Sequence, residues 1–496
     1  MNTQKGYRLA VFVIIACSVL WAYFPTLYFP PRADQVVYIA ETAHKTPSQL
    51  IFGCYDLNRH RMYSAGDELL FRPLCYFILG TEQVLFGHAF WAYQLMGILA
   101  HLFLVWVLLE LLWHLAGPWL GSAGAWLFAL SSVNYELVAW PHLTSYIIMM
   151  AFMLLAIQQM IQSMESKELS WKAAIQISIY SLVACFIYET ANVFVVLMAM
   201  IMMVSLKIDR LKLLVLMLPV IFYGLCSFYN YVFINHLEFH HPYAHSFFQY
   251  LWSIIHLTAW WLYVGLFEGV YRYVLDIRTM FLPFEEFVFK PLVWQNPRII
   301  LELLILISFS SMILLNRRPS TQRLRLVCLF LMMLLAYVAV IVAGRDQEMG
   351  GLKQAVRINT YFLYLFWVIV VLMAFSWASH KINYSLQERI LLIIFVISSF
   401  ILGGMEAKMV HYMGKAYSES TTQSVVLVKT LDMLIDQKGH EPDFSFYVDP
   451  SFPGNISYLE AHQKNDPQVK IYTFAELMYP RYFHPWASAK YRFMVP

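Results

Sequence analysis

Charge is what this chain has least of. Only 13% of its 496 residues are Asp, Glu, Lys or Arg, about half the fraction of a soluble domain, so the composition is that of a polytopic membrane protein. Cysteine is equally sparse and has no pattern. Cys17, Cys54, Cys75, Cys185, Cys226 and Cys328 are scattered, most of them in apolar runs, and no CxxC spacing occurs, which speaks against a zinc site or a disulfide framework. No Walker or dinucleotide-type glycine pattern is present, which counts against an ATP-driven pump. Repeats of collagen, coiled-coil or solenoid type are absent as well. A net charge of +3 gives no reason to expect a nucleic-acid partner.

What is abundant is apolar and aromatic. Apolar residues make up 60% of the chain, with 37 Phe, 32 Tyr and 15 Trp, as expected where many helix ends sit at headgroup depth. The N-terminus carries Lys5 and Arg8 ahead of an apolar run over 9–29 that is too long for a signal-peptide core and lacks a small-residue cleavage site. It reads as a retained first span with its basic end inside, so FPPRADQVVYI at 29–39, centred on Asp34, opens an extracytoplasmic segment.

That segment, 30–91, holds Asp56, Arg59, His60, Arg61, Asp67, Glu68 and Arg72 between apolar patches, the pattern of short helices lying on the interface. Further spans are expected at 91–113, 119–133, 143–162, 172–187 and 191–206, and a seventh ends near Asn235. The link NYELVAWPH at 134–142, which includes Glu136 and His142, and the turn YETA with Glu189 fall outside; MESKELSWK at 164–172 falls inside. Later spans are read at 296–315, 324–343, 359–378 and 388–403, separated by the basic loops NRRPSTQRLR and SHKINYSLQER. Treating 248–268 as interfacial or re-entrant keeps those loops cytoplasmic and gives about eleven spans.

The fold class expected is therefore an all-α polytopic membrane domain over 1–410 with a small extracytoplasmic α/β domain over 411–496. In the latter, 424–437 reads as a helix, 444–450 as a strand and 470–478 as a strand entering a helix.

Ionisable residues tied to membrane helices are costly, so each needs a reason. Glu136, Glu189, Glu268, Arg345, Asp346 and Arg357 all fall at or near outer helix ends, on the side of Asp34. Taken singly, each reads as an interfacial or intrabundle structural residue sooner than a functional one. Their convergence points to an aqueous cavity. There Arg357 is suited to hold a lipid-linked phosphate as a charge-assisted ligand, unless it is a membrane anchor that snorkels. Asp34 is suited to take the proton of an attacking hydroxyl. The histidines His236, His240, His241 and His245 read as a solvated loop sooner than a metal site, and His101 and His256 as core histidines.

Five local stretches carry a likeness. ADQVVYI at 33–39, the FRPLCYF segment opening 71–112, SSVNYELVAWPHLTSYIIM at 131–149, YETANVF at 188–194 and RINTYFLYLFW at 357–367 resemble the acidic, RP, TE-AVAW, KE and RY-Y patterns of the GT-C superfamily of integral membrane glycosyltransferases. The branch most similar is that of the tetratricopeptide-bearing O-mannosyltransferases, and the likeness is strongest over 1–210. It implies an extracytoplasmic active site, a polyprenyl-phosphate sugar donor, and a glycan, lipid or protein acceptor. It also implies Asp34 as catalytic base, Arg72 and Glu136 as cavity-shaping residues with His142 in the same link, and Glu189 near the donor phosphate.

Three departures stand out. Gln35 replaces the usual second acid, which weakens the case for a bridging metal, and no cofactor is implied. Tyr188 stands where the family often has lysine, shifting phosphate neutralisation to Arg357 or Arg345. No tetratricopeptide array follows the last span. The competing class is a flippase or transporter of a lipid-linked glycan, which would account for the spans but gives no reason for an acid directly after the first of them.

Overall fold

The computed structural model describes residues 2–28, 46–48, 71–87, 89–206, 208–229, 304, 307, 365, 369 and 386–438. Among them the chain is helical throughout, and five helices are long and apolar enough to cross a bilayer: Gly6–Tyr28, Phe90–Leu130, Pro141–Ser166, Arg210–Tyr229 and Arg389–Lys415. It is a multi-span helical membrane protein.

The helices are α1 (Asn2–Tyr23), α2 (Pro73–Phe86), α3 (Phe90–Leu130), α4 (Tyr135–Ala139), α5 (Thr144–Ser166), α6 (Trp171–Ile187), α7 (Ala191–Ser205), α8 (Arg210–Tyr229) and α9 (Leu386–Lys438). They belong to two compact units. The first holds 2–24, 71–75 and the described residues from 95 to 414; the second holds 25–28, 46–48, 76–87, 89–94 and 415–438.

In the first unit the chain doubles back wherever the sequence places a breaker. At Gly117 the backbone takes φ 81 and ψ 175 inside α3, a conformation that suits a residue without Cβ. Pro118 then opens the second arm, where its missing N–H costs nothing. The arms lie antiparallel. His101 Nε2–H donates to the Ala129 carbonyl at 2.9 Å and Trp113 Nε1–H to Ser122 Oγ at 3.0 Å. The expected spans at 91–113 and 119–133 are these two arms, and His101 is the satisfied core histidine expected.

Helix α1 runs antiparallel to the first arm, with Phe12 on Trp106 at 4.9 Å and Tyr23 on His101 at 5.9 Å between ring centroids. Near its start Arg8 pairs with Glu110 and lies over the Trp113 ring.

Helices α5 and α6 form a second hairpin. Lys167 ends α5 in the left-handed region at φ 57, and the N–H of Glu168 returns to the Ser163 carbonyl, which satisfies carbonyls left open at a helix end. Ser170 starts α6 by accepting from the Ala173 N–H at 3.1 Å. A third reversal follows at 188–190 into α7, and a fourth into α8, where Asp209 accepts from the Lys212 N–H at 2.8 Å. That backbone hydrogen bond holds the Asp209 carboxyl below its ordinary range.

These reversals put Arg8, Lys167, Lys172, Arg210 and Lys212 at one end of the bundle; Lys212 lies 5.5 Å over the Trp171 ring. Residues 71–72, 131–146 and 187–190 gather at the other.

Two features correct the expected fold class. Residues 411–438 belong to α9, which runs unbroken from Leu386 to Lys438, through the polar stretch ESTTQS at 419–424. A 53-residue helix extends about 80 Å, well over twice a hydrocarbon core of about 30 Å. The span at 388–403 and the helix at 424–437 are thus one element. No strand occurs among the described residues; 444–450 and 470–478 lie outside them. Eight of the eleven expected spans fall among the described residues, where five helices are long and apolar enough to cross: α6 and α7 are shorter apolar helices, and α3 carries two expected spans in one element. Residues 248–268 and the expected spans at 296–315, 324–343 and 359–378 lie outside the described set, apart from single helical positions.

Helix α9 packs on the second arm of α3 through Gly403, where an added Cβ would meet the Trp126 indole; Trp126 Nε1–H donates to the Phe400 carbonyl at 3.2 Å. Gly404, one residue on, faces open space. Gly403→Val is expected to destabilise by about 1–3 kcal/mol through overpacking. Gly404→Ala should stabilise by roughly 0.4–1 kcal/mol, as helix propensity and reduced unfolded-state entropy dictate. Opposite shifts in the thermal midpoint of the detergent-solubilised chain check both, and equal shifts would refute the packing.

In the second unit α2 ends at Gly87, in the left-handed region at φ 50. The Tyr93 hydroxyl donates toward Gln83 Oε1 at 2.7 Å and the Gly87 carbonyl at 3.0 Å. Glu82 is buried there, 3% exposed, and its carboxylate has no hydrogen-bond partner among the described residues.

Candidate functional site

The end of the bundle opposite the basic residues carries a charged cluster assembled from three separate stretches. Arg72 stands just ahead of Pro73, whose fixed φ starts α2. Tyr146 sits in the first turn of α5, and Tyr188 and Glu189 form the reversal after α6. Because α5 and α6 are the two arms of one hairpin, its open end sets Tyr146 beside Tyr188, with ring centroids 4.7 Å apart.

Arg72 is threaded between them. Its Nε and Nη2 donate to Glu189 Oε2 and Oε1 at 2.7 and 2.5 Å, and Nη1 donates to the Tyr146 hydroxyl at 2.7 Å. Its guanidinium carbon lies 4.2 Å over the Tyr188 ring and 5.7 Å from that of Tyr146. This is the two-pronged guanidinium–carboxylate geometry, reinforced by a cation–π face. Burial works against the Arg72 charge. The carboxylate of Glu189 and the flanking tyrosines outweigh it and hold the Arg72 pKa well above its ordinary value.

Exposure divides the pair unequally. The Arg72 side chain is 7% exposed and that of Glu189 32%. Behind Arg72 an aromatic wall closes the site: the Tyr223 hydroxyl donates to the Phe71 carbonyl at 3.0 Å, and the Phe186 ring packs on Phe71, Phe222 and Tyr223.

The link over 131–146 is anchored from α9. Glu406, 4% exposed, accepts from the Ser132 N–H at 2.8 Å. Asn134 donates its amide to the Phe128 carbonyl, and Tyr135 stacks on Tyr23. Gly97 lets the first arm of α3 approach the Val138 carbonyl, which an added Cβ would meet at 2.8 Å. The Trp21 ring stacks on His411 at 4.5 Å, and His411 Nδ1–H donates to the Trp21 carbonyl.

Of the residues singled out from sequence, Arg72 and Glu189 are brought into direct contact across 117 positions of chain. His142 lies in the turn Pro141–Leu143, buried, with its ring 5.6 Å from that of Trp140. Glu136 is in α4, on the same link; its side chain is outside the described residues. Asp34, Arg345 and Arg357 are outside them too, as are Glu268, Asp346, His256 and the histidines over 236–245.

Tyr146 and Glu406 were not singled out. SYIIMM at 145–150 reads as bundle packing, which holds for Ile147, Met149 and Met150 but not for Tyr146. Among the described residues no three His, Cys, Asp or Glu side chains come together as a metal site would require. No family model matches the chain, and neither a curated protein nor a solved structure matches it significantly.

Proposed function

We propose that the chain is a glycosyltransferase that moves a sugar from a polyprenyl-phosphate donor to a glycan, lipid or protein acceptor, on the extracytoplasmic side of a bacterial cytoplasmic membrane. The observation that carries the reading is the Arg72–Glu189–Tyr146–Tyr188 cluster at the end of the bundle away from Arg8, Lys167, Lys172, Arg210 and Lys212. Under the positive-inside rule that basic end is cytoplasmic, so the cluster faces the extracytoplasmic side. Burying a guanidinium against a carboxylate is costly at a membrane edge, and it is an arrangement expected of a working site. The local likeness to GT-C enzymes lies in the same stretches, 71–72, 131–149 and 188–194.

In this reaction the acceptor hydroxyl forms a bond to the anomeric carbon while the bond to the phosphate oxygen breaks. Asp34 takes the hydroxyl proton, and the polyprenyl phosphate leaves as an anion needing only charge neutralisation. Arg357 or Arg345 supplies that neutralisation. A lipid-linked glycan flippase would leave the sugar–phosphate bond intact.

The purified chain, reconstituted in liposomes with undecaprenyl-phosphate mannose, glucose or galactose and a membrane extract as acceptor source, is expected to release undecaprenyl phosphate and transfer label to the extract. Movement of intact donor between leaflets without cleavage would replace this reading with the flippase one. The orientation has its own check. A cysteine at Glu168 should react with a membrane-impermeant maleimide only after permeabilisation, and one at Thr46, exposed in the structure, in intact cells. The reverse pattern would overturn the orientation.

A further inference from the structure

The Arg72 fork already spends the edge that a phosphate would use. Two-pronged recognition of an anion takes parallel N–H donors, and here Nε and Nη2 both donate to Glu189. The remaining Nη1 donates to Tyr146, and one face of the guanidinium is covered by Tyr188 at 4.2 Å. The side chain that reaches solvent is the carboxylate, 32% exposed against 7% for the arginine. An incoming anion would therefore meet a negative group first and a neutralised cation behind it.

A neutral ring bearing hydroxyls meets the opposite situation. A carboxylate has about four acceptor sites for hydroxyl donors, and a half-buried tyrosine offers a polar tip on an apolar body. We propose that Glu189 and Tyr146, held in place by Arg72 against the buried Tyr188 ring, form a subsite for the hydroxyl-bearing ring of a sugar, and that the lipid-linked phosphate is bound elsewhere. This rests on the glycosyltransferase reading and names the ligand class of the same site. Arg72 is the positioning residue: it fixes the carboxylate and cancels its charge. The ring belongs either to the donor or to the acceptor.

The test is direct binding to the purified full-length chain of undecaprenyl phosphate and of its mannose, glucose and galactose conjugates, together with KM values in the transfer assay. The variants are Glu189→Gln, close in shape to the wild type, and the paired Arg72→Met/Glu189→Met, which leaves no unpaired charge. If the ring is the donor's, wild type binds one conjugate at least about tenfold more tightly than the bare lipid phosphate, and both variants abolish that difference. Affinity for the bare lipid phosphate then stays within about twofold. If the ring is the acceptor's, both lipids bind the variants normally and the acceptor KM rises about tenfold or more; this also supports the subsite. A tenfold loss of affinity for bare undecaprenyl phosphate would make the cluster a phosphate site and overturn the proposal, as would no change in any of the three quantities. Failure of wild type to bind either lipid would instead overturn the reading on which it rests.

Discussion

Glu189→Ala is expected to destabilise the protein by roughly 2–4 kcal/mol, and by more than Arg72→Met does. Breaking a buried ion pair by removing one partner costs about 3–5 kcal/mol, because the other charge is left without compensation; partial exposure of Glu189 lowers that range. The asymmetry follows from exposure. Arg72, 7% exposed, would keep its charge away from water beside the Tyr146 and Tyr188 side chains, whereas Glu189, 32% exposed, can be hydrated once Arg72 is gone. Methionine also preserves much of the length that packs between the tyrosines.

The double variant Arg72→Met/Glu189→Met should recover most of the loss, since replacing a whole buried pair by apolar residues of similar volume is often close to neutral. Thermal midpoints in one detergent should thus rank wild type with the double variant, then Arg72→Met, then Glu189→Ala. Additive single effects in the double variant would mean that the two side chains do not act as a pair.

That pairing could not be read from the sequence, although both partners were named from it. Nothing local links Arg72 to Glu189. Their contact depends on the α5–α6 hairpin returning residue 188 to the level of residue 146, and on Pro73 starting α2 where it does. The reversals themselves were legible, since each has a local cause. Gly117–Pro118 cannot continue a helix, and Lys167 to Ser170 combine a left-handed cap with a side-chain cap. Tyr146 was hidden because a tyrosine at the start of an apolar helix has the same pattern whether it packs or binds.

The break between the last span and the helix after it was misread for a related reason. Lys408, Lys415 and the polar run at 419–424 mark where apolar character ends, but a helix is held by hydrogen bonds within itself and continues from an apolar into a polar stretch without interruption. Hydropathy locates where a span stops being apolar, and says nothing about where its helix stops. Glu406 belongs to the same helix, and its hydrogen bond to the Ser132 N–H is what makes an acid in an apolar run tolerable.

Asp34→Asn is expected to lower the rate of sugar transfer by about 10²–10⁴-fold, the usual contribution of a positioned general base. The acceptor hydroxyl is a weak nucleophile until its proton has somewhere to go, and asparagine keeps the size of aspartate while offering no basic oxygen. Donor KM should change little, because the carboxylate acts on the acceptor's proton in the transition state and contributes little to holding the donor. Asp34→Glu, which restores a carboxylate at the wrong length, should recover part of the rate. On the proposed reading, Gln35 beside Asp34 leaves the proton transfer to a single carboxylate. The transfer assay itself separates the two classes of function, because a flippase moves its lipid without making or breaking a bond and releases no undecaprenyl phosphate from the donor. Transfer at the wild-type rate by Asp34→Asn would remove Asp34 from the mechanism.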